Sequence, residues 1–165
     1  MTPLESAVLA DINEARTHPA DYARQLAASG PQTAVTREAI AYLQALKPLT
    51  PLAANIRLIH SAQKDAADEG SHGLTDHIGS DGSTATQRMQ REGVFASVFE
   101  EEISFGKRTA EAVVRQLVID PDNPRRAHRT DLFDPLVRLA GVGCGPHITE
   151  GAMCVIDITS AMLGP

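Results

Sequence analysis

The chain has 165 residues, 42% of them hydrophobic and 22% charged, which suits one ordinary core and is too short for two, so a single domain over 1–165 is expected. Its net charge of −6 argues against nucleic acid or an anionic membrane surface as the main partner, because both need a cationic footprint that the Arg125-Arg126 pair is too small to supply. No apolar run approaches the ~18 residues that span a bilayer, so no transmembrane segment is expected. The opening "MTPLESAVLADINEAR" lacks the basic start and unbroken apolar stretch of a signal peptide.

Three or four helices are predicted first, then a loop-rich middle, then short strands. Leu4, Val8, Ile12 and Ala15 recur at helical spacing, and Pro19 opens a second helix through Tyr22 and Leu26 before "GPQT" interrupts. A stronger helix is predicted from Pro51 to Glu69, with Leu52, Ile56, Ile59, Gln63 and Ala66 along one side and Gly70 as its C-cap. The acidic run Asp65, Asp68, Glu69 reads as a solvated face of this helix.

From Ser71 to Ser83 the composition turns to Gly, Ser, Asp and His without periodicity. That predicts a long surface loop before a helix capped by Ser83 or Thr84, and loops of more than ~12 residues in compact domains are usually functional or disordered. Another helix begins near Thr109, where Ala110, Val113, Val114, Leu117 and Val118 follow an i, i+3, i+4, i+7, i+8 pattern, and stops at Pro121. The C-terminal "LVRLAGVGCG" and "GAMCVIDIT" read as strands.

A hairpin of these two strands centred on Thr149 sets Cys144 and Cys154 opposite each other. Directly opposed residues lie roughly 4.5–5.5 Å apart, a separation that a disulfide accepts. Two buried thiols, or a zinc site of Cys144, His147 and Cys154, are the alternatives.

Of the six histidines, His18 and His60 sit where local or packing roles suffice, and His72 follows the acidic run. His77 and His128 stand out as loop residues beside helix ends, framed by Gly79 and Gly82 in one case and Pro124 in the other.

Five segments in order, "INEARTHPADYA", "DHIGSDGSTATQRM", "EEISFGKRTAEAVV", "AHRTDLFDP" and "GVGCGPHITEGAMCVIDI", make residues 5 to 160 resemble the bacterial, SCP-like extracellular branch of the CAP superfamily (cysteine-rich secretory proteins, antigen 5, pathogenesis-related 1). The resemblance implies an α+β fold, a three-layer α-β-α sandwich with a small antiparallel sheet, and a cleft holding two histidines and two acidic residues. Position by position these are His77, His128 and Glu101, with Asp120 as the nearest substitute for the second acid. Glu100 and Glu102 replace the glycine and asparagine of the family's Gly-Glu-Asn-Ile segment; strand alternation sets Glu101, Ile103 and Phe105 on one face and Glu100 and Glu102 on the other.

Two imidazoles and a carboxylate suit zinc or another divalent transition metal better than calcium or magnesium, which take mostly oxygen ligands. The resemblance implies, as the leading expectation, an extracellular or periplasmic binding module whose partner is a small molecule, a lipid or a cell-surface or cell-wall component. A metal-dependent hydrolase acting on peptides or esters, with Glu101 as base and the histidines as ligands, is the alternative; a lipid- or sterol-binding domain is the third. The chain has no HExxH helix, Gly-x-Ser-x-Gly elbow or Walker-type loop to favour catalysis.

Overall fold

The computed structural model describes residues 1–163. Its helices are α1 (Pro3–Thr17), α2 (Pro19–Ala28), α3 (Ala34–Ala45), α4 (Ile56–His72), α5 (Ala85–Arg91), α6 (Ala110–Ile119) and α7 (Ala127–Leu132). The strands are β1 (Ala53–Ala54), β2 (Phe99–Phe105), β3 (Leu139–Gly145) and β4 (Met153–Thr159). The strand order is β1-β3-β4-β2, with β1 parallel to β3 and the other pairs antiparallel. The edges are β1, only two residues long, and β2.

Alternation along β4 divides the interior into the three layers that were expected. Cys154, Ile156 and Ile158 pack with Val8, Ile12, Val114 and Leu117 of α1 and α6, while Met153 and Val155 pack with Ala62 and Ala66 of α4. Along β3, Ala140 and Val142 join the first layer and Gly141, Gly143 and Gly145 take the face toward α4. A Cβ at Gly141 would collide with the backbone of Leu58 and Ile59, and one at Gly143 with Ala62 and Gln63. The helix backbone therefore rests directly on the strand.

The β3–β4 hairpin centres on Thr149 as predicted: Cys144 pairs with Cys154 across the ladder and the two form a disulfide with Cα atoms 4.1 Å apart. His147 is not a metal ligand beside them. Its Nδ1 accepts from the N–H groups of Thr149 and Glu150 and its Nε2 contacts the Leu74 carbonyl, so it ties the hairpin turn to the segment after α4.

The long central helix differs from its prediction at both ends. Pro51–Ala54 is extended because Ala53 and Asn55 donate backbone bonds to Arg138 and Ala140, and Asn55 then caps the helix by accepting from Arg57 and Leu58. Ile56 consequently lies 61% exposed, and Leu58, Ala62 and Ala66 form the buried stripe. At the other end Gly70 is inside the helix, where a Cβ would collide with the Pro146 carbonyl, and Gly73 supplies the left-handed cap at φ 70°. Two of the three acids expected on a solvated face are not solvated: Asp65 and Glu69 are 1% and 0% exposed because they sit on the side that meets the sheet, while Asp68 is half-buried.

Gly143→Ala is expected to lower unfolding free energy by about 3 kcal/mol, since the clash is with backbone. Gly145→Ala, whose Cβ would lie 3.8 Å from its nearest neighbour, should cost far less. Urea denaturation of the two variants measures the difference.

Candidate functional site

Two histidines reach the edge strand β2 from opposite layers of the sandwich. The connection 73–84 delivers His77 and is held by one acid of α4 and two of its own: Asp68 accepts from the Ser80 N–H at 2.8 Å, Asp76 from Ile78 at 2.7 Å, and Asp81 from Ser83 at 2.9 Å. Thr84, one of the two predicted caps, closes the connection through a capping box with Gln87.

Within that frame His77 Nδ1 lies 2.8 Å from Glu101 Oε1. The second oxygen of Glu101 accepts from Arg88 Nη2 at 2.7 Å; Arg88 also donates to Asp65 Oδ2 at 2.9 Å and to the His77 and Ser83 carbonyls at 3.2 and 2.8 Å. Burial alone would raise the Glu101 pKa, but the bond from His77 and the Arg88 charge outweigh it and hold the carboxyl below its ordinary value. The same bond raises the pKa of His77 against its own desolvation. Because an ionised carboxylate can only accept, Nδ1 carries the imidazole proton and Nε2 is left for the cleft.

His128 is fixed by a second pair of this kind. It lies in the first turn of α7 and not in a loop, so both its N–H and its Nδ1 face Asp120, at 3.1 and 2.8 Å from the two carboxylate oxygens. Asp120 ends α6 in the left-handed region at φ 51°, and Arg126 begins α7 at φ 55°. Among the described residues these two are the non-glycine residues with positive φ, and both bound the turn that carries His128. Arg126 clamps the turn by donating to the Asp120 and Asn123 carbonyls at 2.9 and 2.6 Å.

His77 and His128 line one cleft of about 280 Å³, where Ile103, Phe105 and Leu117 supply apolar surface and Gln116 and Asn123 supply amides. Of the four predicted residues, the two histidines and Asp120 line this cleft and Glu101 does not; Glu101 and Asp120 stand on the Nδ1 side of their imidazoles. Among the described residues, no three His, Cys, Asp or Glu side chains are grouped so as to hold a metal ion. The arrangement has the form of histidines backed by carboxylates, which fixes the tautomer and increases the basicity of the outward nitrogen.

Sequence reasoning missed Arg88 and the role of Glu102. Nothing local marks Arg88, whose partners come from α4, β2 and the connecting loop. Glu102, opposite in face to Glu101, is 1% exposed; neither of its oxygens has a hydrogen-bond partner, and Oε2 is 3.8 Å from His128 Nε2.

Residues 9–156 match the model of the cysteine-rich secretory protein family, CAP. The chain belongs to the CAP family. Solved structures similar to this CAP domain include an outer surface protein from Borrelia burgdorferi, 15% identical over 92% of each chain with a TM-score of 0.58. An extracellular protein containing an SCP domain from Bacillus anthracis is 17% identical over 80% of this chain and 45% of its own, with a TM-score of 0.55. A cysteine-rich secretory protein from Staphylococcus aureus is 12% identical over 97% of this chain and 40% of its own, with a TM-score of 0.54. The chain thus spans less than half the length of the Bacillus and Staphylococcus proteins. At these identities the likeness establishes the fold alone. No curated protein matches the chain.

Buried acids give this CAP domain a pH signature. Burial, then the nearby charge of Asp65, pushes the Glu69 carboxyl up from 4.5 to about 8. Burial, then Glu101, pushes Asp65 up to about 7. The native state therefore binds more protons than the unfolded chain between these values, so each group's contribution is complete below its unfolded pKa and is lost as pH rises through the folded one. His77, with its raised pKa, acts in the same direction. The melting temperature should fall between about pH 5 and pH 8, and Glu69→Gln should flatten that slope and raise Tm at pH 8 by a few degrees. Calorimetric scans of both proteins across this range check it; identical slopes would contradict it.

Proposed function

We propose that this CAP domain is a recognition module acting outside the cytoplasm, which binds a small polar ligand, or the polar end of a cell-surface or cell-wall component, in the His77/His128 cleft. The observation that carries this reading is the pair of imidazoles lining one cleft, each oriented by a buried carboxylate at 2.8 Å. The location outside the cytoplasm draws on the Bacillus and Borrelia proteins, described as an extracellular and an outer surface protein.

In this reading a divalent ion would be an open, weakly held guest, with Nε2 of His77 and of His128 as its protein ligands. Bound there, it would supply positive charge to a carbonyl or carboxylate oxygen of the ligand. Glu101, the base of the hydrolase reading, already accepts with both oxygens, so that reading gains no support from the geometry. At about 280 Å³ the cleft lies below the ~300–1,000 Å³ range of drug-sized sites, which favours a small group over a sterol or lipid.

Titration calorimetry with zinc tests the metal part. The parent should bind one ion, Asp120→Asn should weaken binding about tenfold by loosening His128, and His77→Ala/His128→Ala should weaken it by about a hundredfold or more. A double variant that binds zinc as well as the parent would exclude the ion from this cleft.

A further inference from the structure

At the hairpin end of the sheet lies a separate cavity of about 320 Å³, bounded by the start of α1, the β2–α6 connection and the β3–β4 turn. Lys107 and Arg108 line it, and no carboxylate is among its lining residues. Neither cation forms an ion pair among the described residues. Arg108 donates to the Gly151 carbonyl at 3.2 Å, which fixes its guanidinium at the rim and leaves its charge uncompensated. The rest of the wall combines Thr2 with the apolar Leu4, Pro146 and Ala152, beside the disulfide half Cys144.

We propose that this cavity is a second binding site, for a small organic monocarboxylate whose carboxylate meets Lys107 and Arg108 and whose apolar body lies on Leu4, Pro146 and Ala152. Charge sets the sign of the ligand: the nearest acid, Glu5, is buried behind the wall with its carboxylate engaged by the Thr2 and Cys144 N–H groups at 2.6 and 3.1 Å, whereas Lys107 and Arg108 line the cavity, and a neutral molecule forgoes the two charge-assisted bonds. The apolar part of the wall sets its character, since inorganic phosphate would leave Leu4 and Pro146 uncovered. Volume sets its size, because about 320 Å³ lies at the low end of ligand pockets and holds one ring or one amino-acid residue. The same chemistry is presented by a free carboxylic acid and by the C-terminal residue of a peptide.

Amide-resolved NMR titration of the full chain separates these cases, with benzoate as the free acid, N-acetyl-leucine as the peptide terminus and N-acetyl-leucine amide as the uncharged control. Saturable shifts confined to Lys107, Arg108, Gly145, Ala152 and their neighbours are expected at millimolar concentrations of at least one acid, weaker at high salt. The acid that binds more tightly identifies the source. Lys107→Ala/Arg108→Ala alters half-buried and exposed side chains and should leave the spectrum otherwise native while weakening binding about tenfold. Leu4→Ala should weaken it less. Equal binding of the amide control, an unaffected double variant, or no shift with either acid would overturn the proposal and leave the cavity to water and counter-ions.

Discussion

The rest of the molecule depends on the contact between α4 and β3. Because alternate residues of β3 are glycine on the face toward the helix, nothing but backbone separates the two elements. A helix seated so closely turns Ser61, Asp65 and Glu69, spaced four residues apart, into the interior together with Leu58, Ala62 and Ala66. An acid so placed needs a proton or a cation. For Asp65 the cation is Arg88, 10% exposed, which also holds Glu101 and the backbone of His77. The glycine face is thus linked, through one helix and one guanidinium, to the orientation of an imidazole.

The two halves of the cleft reach similar geometry by different routes. His77 lies on a connection braced by Asx turns and receives its carboxylate from the edge strand. His128 lies at the start of a helix, and its carboxylate comes from a helix end whose backbone is held at positive φ. Since β2 is at the edge, side chains from both faces of the sheet meet around it without crossing the core. Such a site presents two outward nitrogens from rigid supports, an arrangement suited to holding something in place. The protonatable acids behind it tie the stability of that support to pH.

Much of this was legible where the signal was local. The first two helices, the helix after Thr109 and the hairpin with its cystine follow from periodicity and from positions counted about Thr149. The limits of α4 did not, because Pro51–Ala54 is drawn into a parallel pairing with β3 and Gly70 is required by the approach of Pro146, and both are tertiary facts. The burial of Asp65 and Glu69 had a readable trace in their spacing with Ser61 alongside the apolar stripe, but an acidic run ordinarily faces water. Family resemblance located His77, Glu101, Asp120 and His128; that the acids stand behind the imidazoles required coordinates. Arg88 had no signal at all, since every one of its partners is distant in sequence or contributes a backbone oxygen.

The central claim is that both cleft histidines are held with Nδ1 protonated toward a carboxylate and Nε2 available. Long-range proton–nitrogen correlation spectra of the two imidazoles, recorded at a pH where the rings are neutral, test it directly. The account predicts that His77 and His128 both populate the Nδ1–H form, with Nε2 carrying the unprotonated nitrogen shift. Neutral rings protonated at Nε2 would contradict it.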